Sequence, residues 1–291
     1  MSRKLLIAFG LAALLAAPAT SLADDSETRY REGLALKEQG KTDEAIAKFE
    51  AAVAERPNHV MAWASLGHLY KKKGEYAKAV EAYEKATEKM KNDKVVWSNL
   101  GMAYFRNEQP RDAIRALRRA CKLDPKDADI HSNLGVILRQ EGEIDRAVWH
   151  LKRAFELQPK NATWANNLGI AYRHDKQPDK AKEMFVKAIE LDPKVADFHF
   201  NLAAIHRRND DIDDAIAEYH KALELQPDHA DAWWDLGHMY RKNHDNEKAL
   251  EAFQKYLGLI KGKNPKSEAF AKEQIESLGG TVEEPKQKKK K

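Results

Sequence analysis

Amide and guanidinium groups recur in this chain at one fixed interval. Asparagines stand at Asn99, Asn133, Asn167 and Asn201, and arginines at Arg139, Arg173, Arg207 and Arg241, each 34 residues from the last. A primary amide carries both a donor and an acceptor, so a row of amides at regular spacing can hold the backbone of an extended peptide without reading its side chains. Guanidinium forks present parallel donors to a carboxylate. The arginines belong to a longer basic series: Lys71-Lys72, Phe105-Arg106, Arg139-Gln140, Arg173-His174, Arg207-Arg208 and Arg241-Lys242. The chemistry on offer is recognition of an acidic segment or a terminal carboxylate. Both sets also have structural uses. The asparagines can satisfy neighbouring backbone groups or bond from unit to unit, and basic residues near a helix C-terminus complement its macrodipole.

Other reactive groups do not form a motif. Ala35 to Thr42 meets a permissive phosphate-loop pattern, but such a loop needs a strand before it and flexible glycines around phosphate, whereas this segment reads as a helix end capped by Gly40. The eleven histidines include His199 and His206, seven apart, with no His-Glu-x-x-His and no paired cysteines, so no metal ligand is expected. The single cysteine, Cys121, excludes an intramolecular disulfide framework and is expected to be a buried, inert thiol. No catalytic constellation and no cofactor motif are present. Asn161-Ala162-Thr163 is a glycosylation acceptor pattern, meaningful only in a eukaryotic secretory pathway.

The charge balance narrows the partners. The 291 residues carry 50 Lys and Arg against 46 Asp and Glu, and the excess lies at the ends: residues 5 to 278 hold 43 basic and 44 acidic residues, a net of −1. Nucleic acid is not implied, and positive charge on one face is a local feature. A charged fraction of 33% and a mean hydropathy of −0.71 indicate much surface for each unit of core. Arg3 and Lys4, the apolar run Leu5 to Ala17 and the Ser21-Leu22-Ala23 ending read as a signal peptide at residues 1–23, cleaved after Ala23. The thirteen-residue run is too short to span a bilayer, so the expectation is an exported protein, of a bacterial periplasm, without stable membrane insertion. Residues 279–291, ending in four lysines, are expected to be a disordered tail.

The elements that must carry the amides follow the same interval. Gly33, Gly67, Gly101, Gly135, Gly169, Ala203 and Gly237 form one small-residue column, and Ala45, Ala79, Ala113, Ala147, Ala181, Ala215 and Ala249 form a second. Small residues at fixed offsets let two antiparallel helices approach closely. Gly40, Gly74 and Gly142 are expected to end the first helix of their units, with Asn107, Asn209 and Asn243, one position earlier, serving similar geometry elsewhere. Pro110 and Pro178 open second helices, and Pro57, Pro125, Pro159, Pro193 and Pro227 close units. The chain reads as helix, turn, helix, turn, seven times.

The order Trp-x2-Leu-Gly-x2-Tyr, Ala, Phe/Tyr, Ala, Pro resembles the tetratricopeptide repeat. The resemblance covers residues 26–263 in seven units: 26–59, 60–93, 94–127, 128–161, 162–195, 196–229 and 230–263. It implies an all-α solenoid, a right-handed superhelix of seven 34-residue helix-turn-helix repeats whose first helices line a concave groove. A capping helix is expected at 266–278, with Phe270, Ala271, Ile275 and Leu278 on one face. By the family's inward positions, Asn99, Asn133, Asn167 and Asn201 line the groove, similar to the asparagine ladder in the superhelix of O-GlcNAc transferase. Arg106, Arg139, Arg173, Arg207, Arg208, Arg241 and Lys242 form a basic edge beside them. Phe200 and Trp234 fall at an inward position and are candidate apolar anchors, whereas Trp233 and His199 fall at a packing position. The family's carboxylate clamp does not carry over, because Val95, Ser98 and Met102 surround Asn99.

These readings converge on a non-enzymatic scaffold or adaptor that receives an extended, acidic protein segment in its groove. A rival is homo-oligomeric assembly, with the acidic start Asp24-Asp25-Ser26-Glu27 entering a neighbour's basic groove. An enzyme acting on cell-wall polymer would need a catalytic set that the sequence lacks.

Overall fold

The structure is a computed structural model that describes residues 21–281. The lysine run and most of the expected signal peptide lie outside the described residues. Among the described residues all regular structure is helical: α1 (Ser21–Glu38), α2 (Thr42–Glu55), α3 (Val60–Lys73), α4 (Tyr76–Thr87), α5 (Lys94–Arg106), α6 (Pro110–Leu123), α7 (Ala128–Gln140), α8 (Ile144–Leu157), α9 (Ala162–His174), α10 (Pro178–Leu191), α11 (Ala196–Asn209), α12 (Ile212–Leu225), α13 (Ala230–Lys242), α14 (Asn246–Ile260) and α15 (Pro265–Ser277). They make seven consecutive helix pairs and a last single helix. No described helix is long and apolar enough to cross a membrane.

The chain forms two compact units, one reaching Ala116 and one from Leu117 onward, with α6 passing from the first to the second. In the first, α1 to α5 pack each on the next around Phe49, Leu66, Tyr83 and Leu100, all buried. In the second, α7 to α15 do the same around Leu151, Phe185, Tyr219 and Phe253. Each such side chain contributes about 2–3 kcal/mol by leaving water.

The two small-residue columns explain how the helices approach. A methyl group added at Gly169 would stand 2.7 Å from the Phe185 ring, and one at Gly67 would stand 2.8 Å from Tyr83. A larger residue would force the rings away and cost on the order of 1–3 kcal/mol through overpacking. The alanine column is fully buried, from Ala45 to Ala249.

Caps set the boundaries. Asp93 accepts from the N–H groups of Val95 and Val96 at the start of α5, and Asn161 accepts from Thr163 and Trp164 at the start of α9. Between the helices of a pair one residue takes left-handed backbone. It is glycine at Gly40, Gly74 and Gly142, with φ of 75°, 79° and 79°, but Glu108, Lys176, Asp210 and His244 elsewhere, with φ of 59°, 57°, 70° and 57°. This column corrects the expectation for Asn107, Asn209 and Asn243. Asn107 and Asn243 keep φ of −89° and −83°, and Asn209 remains the last residue of α11. The turn geometry fixes the left-handed position, and whichever residue falls there adopts it.

Two terminal expectations also change. Phe270 is 59% exposed while Ala271 and Ile275 are buried, because each residue turns the helix by about 100° and Phe270 therefore leaves the face shared by 271, 275 and 278. Gly279 and Gly280 belong to the helix stop, the Gly280 N–H donating to Ile275 O at 3.0 Å.

One further polar bond recurs. The ring N–H of the fourth residue of a unit donates to a carbonyl six residues upstream: Trp63 to Pro57 at 2.8 Å, Trp97 to Lys91 at 3.0 Å and Trp233 to Pro227 at 2.9 Å. His131 and His199 occupy the same place, with Nε2 at 3.2 Å and 3.1 Å from the carbonyls of Pro125 and Pro193.

Candidate peptide-binding face

The asparagines and the basic series are both carried by first helices, but they are not equivalent to one another. In the first unit, Lys71 Nζ donates to Asn99 Oδ1 at 2.7 Å, and burial pushes the Lys71 ammonium pKa down. Arg106 is exposed at the C-terminal end of α5.

In the second unit, Asn201 is buried and committed. Its Nδ2 donates to Asn166 Oδ1 at 3.0 Å, and Arg173 Nη1 donates to its Oδ1 at 3.4 Å. Arg207 Nη1 pairs with Asp235 Oδ1 at 2.9 Å, while the Tyr219 hydroxyl donates to Asp235 Oδ2 at 3.0 Å. Lys71–Asn99, Arg173–Asn201 and Arg207–Asp235 share an offset of 28 residues, so the twelfth residue of one repeat holds the sixth residue of the next.

Asn133 and Asn167 are free of such bonds. Both are half-buried, and neither amide has a hydrogen-bond partner among the described residues. The residue 28 before Asn167 is Arg139, whose Nη1 lies 3.5 Å from His174 Nε2 instead.

Arg139 and Arg173 are half-buried and make no ion pair among the described residues. Burial lowers the pKa of both guanidinium groups, and the charges of Arg139 and Arg207 add to the effect at Arg173. His174 is lowered too, by burial first and then by Arg139 and Arg173. Here positive charge accumulates without neutralisation, and an anion entering would gain charge-assisted hydrogen bonds of about 1.5–3 kcal/mol each.

The remaining candidates separate from this group. Arg208 is exposed at the end of α11, Arg241 bonds to Gln274 on α15, and Lys242 pairs with Asp210. Phe200 packs on the core, its ring centroid 4.6 Å from His229 and 5.8 Å from Tyr219. Trp234 packs likewise, 5.3 Å from Phe253 and 4.9 Å from Tyr256. Asn166, His174 and Asp235 were not singled out as site residues, yet they decide which asparagines and arginines are spoken for. The sequence held a signal for Asp235: it breaks the asparagine column in the seventh unit.

The phosphate-loop lookalike is confirmed as a helix end, with Gly40 closing α1 and its N–H donating to Lys37 O at 3.0 Å. His199 and His206 serve different partners, Glu218 at 2.7 Å and Asp211 at 3.2 Å. Cys121 is half-buried and its thiol pKa is raised by burial, then by Asp124 and Asp127. In contrast to the absence of metal ligands expected from spacing, Cys121, His131 and His150 converge from α6, α7 and α8. The acidic start is built into α1: Ser26 Oγ donates to Ala52 O at 2.8 Å, and Glu27 pairs with Arg31 at 3.1 Å and His59 at 3.4 Å.

Two family models match the chain: the Cilia and flagella-associated protein 70 C-terminal domain over residues 5–203 and the Tetratricopeptide repeat over residues 200–267. No curated protein matches it. Among solved structures, MamA protein is 26% identical, with 59% of this chain and 93% of that chain covered and a TM-score of 0.56. YrrB, described as a repeat protein with an unusual peptide-binding site, is 23% identical over 67% of this chain and all of its own (100%), with a TM-score of 0.53. A tetratricopeptide repeat protein from Parabacteroides merdae is 15% identical over 88% of this chain and 100% of its own, with a TM-score of 0.67. The last two likenesses concern the fold alone.

Proposed function

The chain belongs to the tetratricopeptide-repeat family, through the repeat domain of the cilia and flagella-associated protein 70 model and the general repeat model, and from that premise we propose that it is a non-enzymatic interaction scaffold whose second unit receives an extended acidic peptide. The observation that carries this reading is the set Asn133, Asn167, Arg139 and Arg173: two amides without internal partners beside two guanidinium groups without internal counter-ions. The amides hold the ligand backbone through donor and acceptor together, and the guanidinium groups take a carboxylate. Asn99 and Asn201 act within the fold, as inter-repeat ties. YrrB, a likeness in fold, is itself described as having a peptide-binding site.

The test is fluorescence anisotropy with acidic peptides and their Asn/Gln counterparts, against the parent and R139E/R173E, both verified as folded by circular dichroism. The parent is expected to prefer the acidic series, with affinity falling as added salt shortens the screening length. The charge reversal is expected to cost at least about tenfold, the equivalent of one charge-assisted bond. Equal affinity for both peptide series, or for both proteins, would sink the reading. The protein's place of work follows from residues 1–23: we propose export with cleavage after Ala23, and an intact mass that retains those residues would refute it.

A further inference from the structure

We propose that Cys121, His131 and His150 form a binding site for a transition-metal ion of the zinc class. Cys121 on α6, His131 on α7 and His150 on α8 all lie in the second unit, and the three candidate ligand atoms lie within 4.8 Å of one another. His131 Nδ1 is 3.0 Å from His150 Nδ1, and Cys121 Sγ is 3.5 Å from His131 Nε2.

The ring-to-carbonyl bond shared by the fourth residues fixes how His131 presents itself. Its Nε2 sits where the tryptophans of other repeats donate an indole N–H, at 3.2 Å from the Pro125 carbonyl, so Nε2 carries the proton and Nδ1 keeps a lone pair. A metal-binding imidazole is held in this way, with one nitrogen on the ion and the other donating to a backbone carbonyl. In the repeat two units on, the equivalent His199 Nδ1 meets the carboxylate of Glu218 at 2.7 Å. In this repeat the residue 19 positions after the ring is His150 instead of an acid, so two imidazole nitrogens meet and share one proton.

Replacing that shared proton by an ion needs little movement of the two imidazoles. Tetrahedral zinc with bonds of about 2.0 Å to nitrogen separates two ligand nitrogens by about 3.3 Å. The Cys121 thiol rests 3.5 Å from Nε2 of the same ring and has to turn toward the Nδ1 side to complete a bond of about 2.3 Å to sulfur. On binding, the His150 proton moves to its Nε2 and the Cys121 thiol proton is released to solvent, one proton per ion. A thiolate with two imidazoles selects zinc-class ions over magnesium or calcium.

The probes are Zn2+, in competition with a chromophoric chelator, and Co2+, read by its visible bands and by the near-ultraviolet sulfur-to-cobalt transition. Parent protein is compared with C121S, H150Q and the control H206Q, which alters the separate group His206, Asp211 and Asp214. One ion per chain is expected, with affinity weakened at least about tenfold in C121S and in H150Q. The sulfur transition should vanish in C121S, and H206Q should bind as the parent does. Absence of zinc binding, binding retained by C121S/H150Q, or binding lost only in H206Q would overturn the proposal. Peptide affinity is read on the same samples, so failure of the metal site is distinguishable from failure of the peptide face.

Discussion

Asp235 occupies the column where the preceding repeats carry asparagine, and it must hold a charge inside the fold. Burial pushes its carboxyl pKa above the ordinary value of 3.8, and the opposing pull of Arg207 and Tyr219 is too weak to cancel this. A raised acid pKa means that the folded protein keeps a proton which the unfolded chain has lost. The stability this supplies is present below about pH 3.9 and disappears as pH rises through the folded value. D235N, which keeps acceptors for Arg207 and Tyr219 without the charge, is therefore expected to be at least as stable as the parent at pH 7. Its stability should also change less with pH from 4 upward, as read by urea unfolding at stepped pH. A loss above about 1 kcal/mol at pH 7 would mean that the ion pair outweighs the burial cost. The asparagine column was legible as residue types and interval, but its members were not separable by sequence. Arg139 and Arg173 are the same residue type, yet only Arg173 donates 28 residues onward, and that offset becomes informative only once the stacking of one repeat on the next is known.

Helix existence and boundaries were the most legible level, because punctuation and period agree: Pro110 and Pro178 begin α6 and α10, and Gly40, Gly74 and Gly142 end α1, α3 and α7. The turns without glycine were misread by one position. Asparagine tolerates left-handed backbone, yet the turn imposes that conformation on Lys176, with φ of 57°. Left-handed geometry costs a residue with a Cβ about 1–2 kcal/mol, and glycine gives back part of this as unfolded-state entropy. K176G is expected to stabilise by about 0.5–1 kcal/mol, seen as a higher midpoint in thermal unfolding. An unchanged or lower midpoint would show that the turn is not strained there. The convergence of Cys121, His131 and His150 was illegible for a related reason: its members lie on three helices, and spacing along any one helix cannot reveal it.

At the scale of each compact unit stability is local, since α1 to α5 and α7 to α15 each pack chiefly on their neighbours in sequence. Removal of residues from 265 onward strips Ala271 and Ile275 from α14 and uncovers the core around Phe253. Faster hydrogen exchange is expected in α13 and α14, with a local loss of about 2–4 kcal/mol from the uncovered apolar side chains, and α7 to α10 should keep their protection. Uniform acceleration across the second unit would show instead that it unfolds as one body. The left-handed turn, the ring-to-carbonyl bond and the contact of glycine with a ring all recur at the same interval of 34. A recombination event that removes or duplicates one whole interval therefore rejoins each of these groups to a partner of the same kind. Such a gene can inherit a longer or shorter array as a single step, and changes of any other length break every junction they touch.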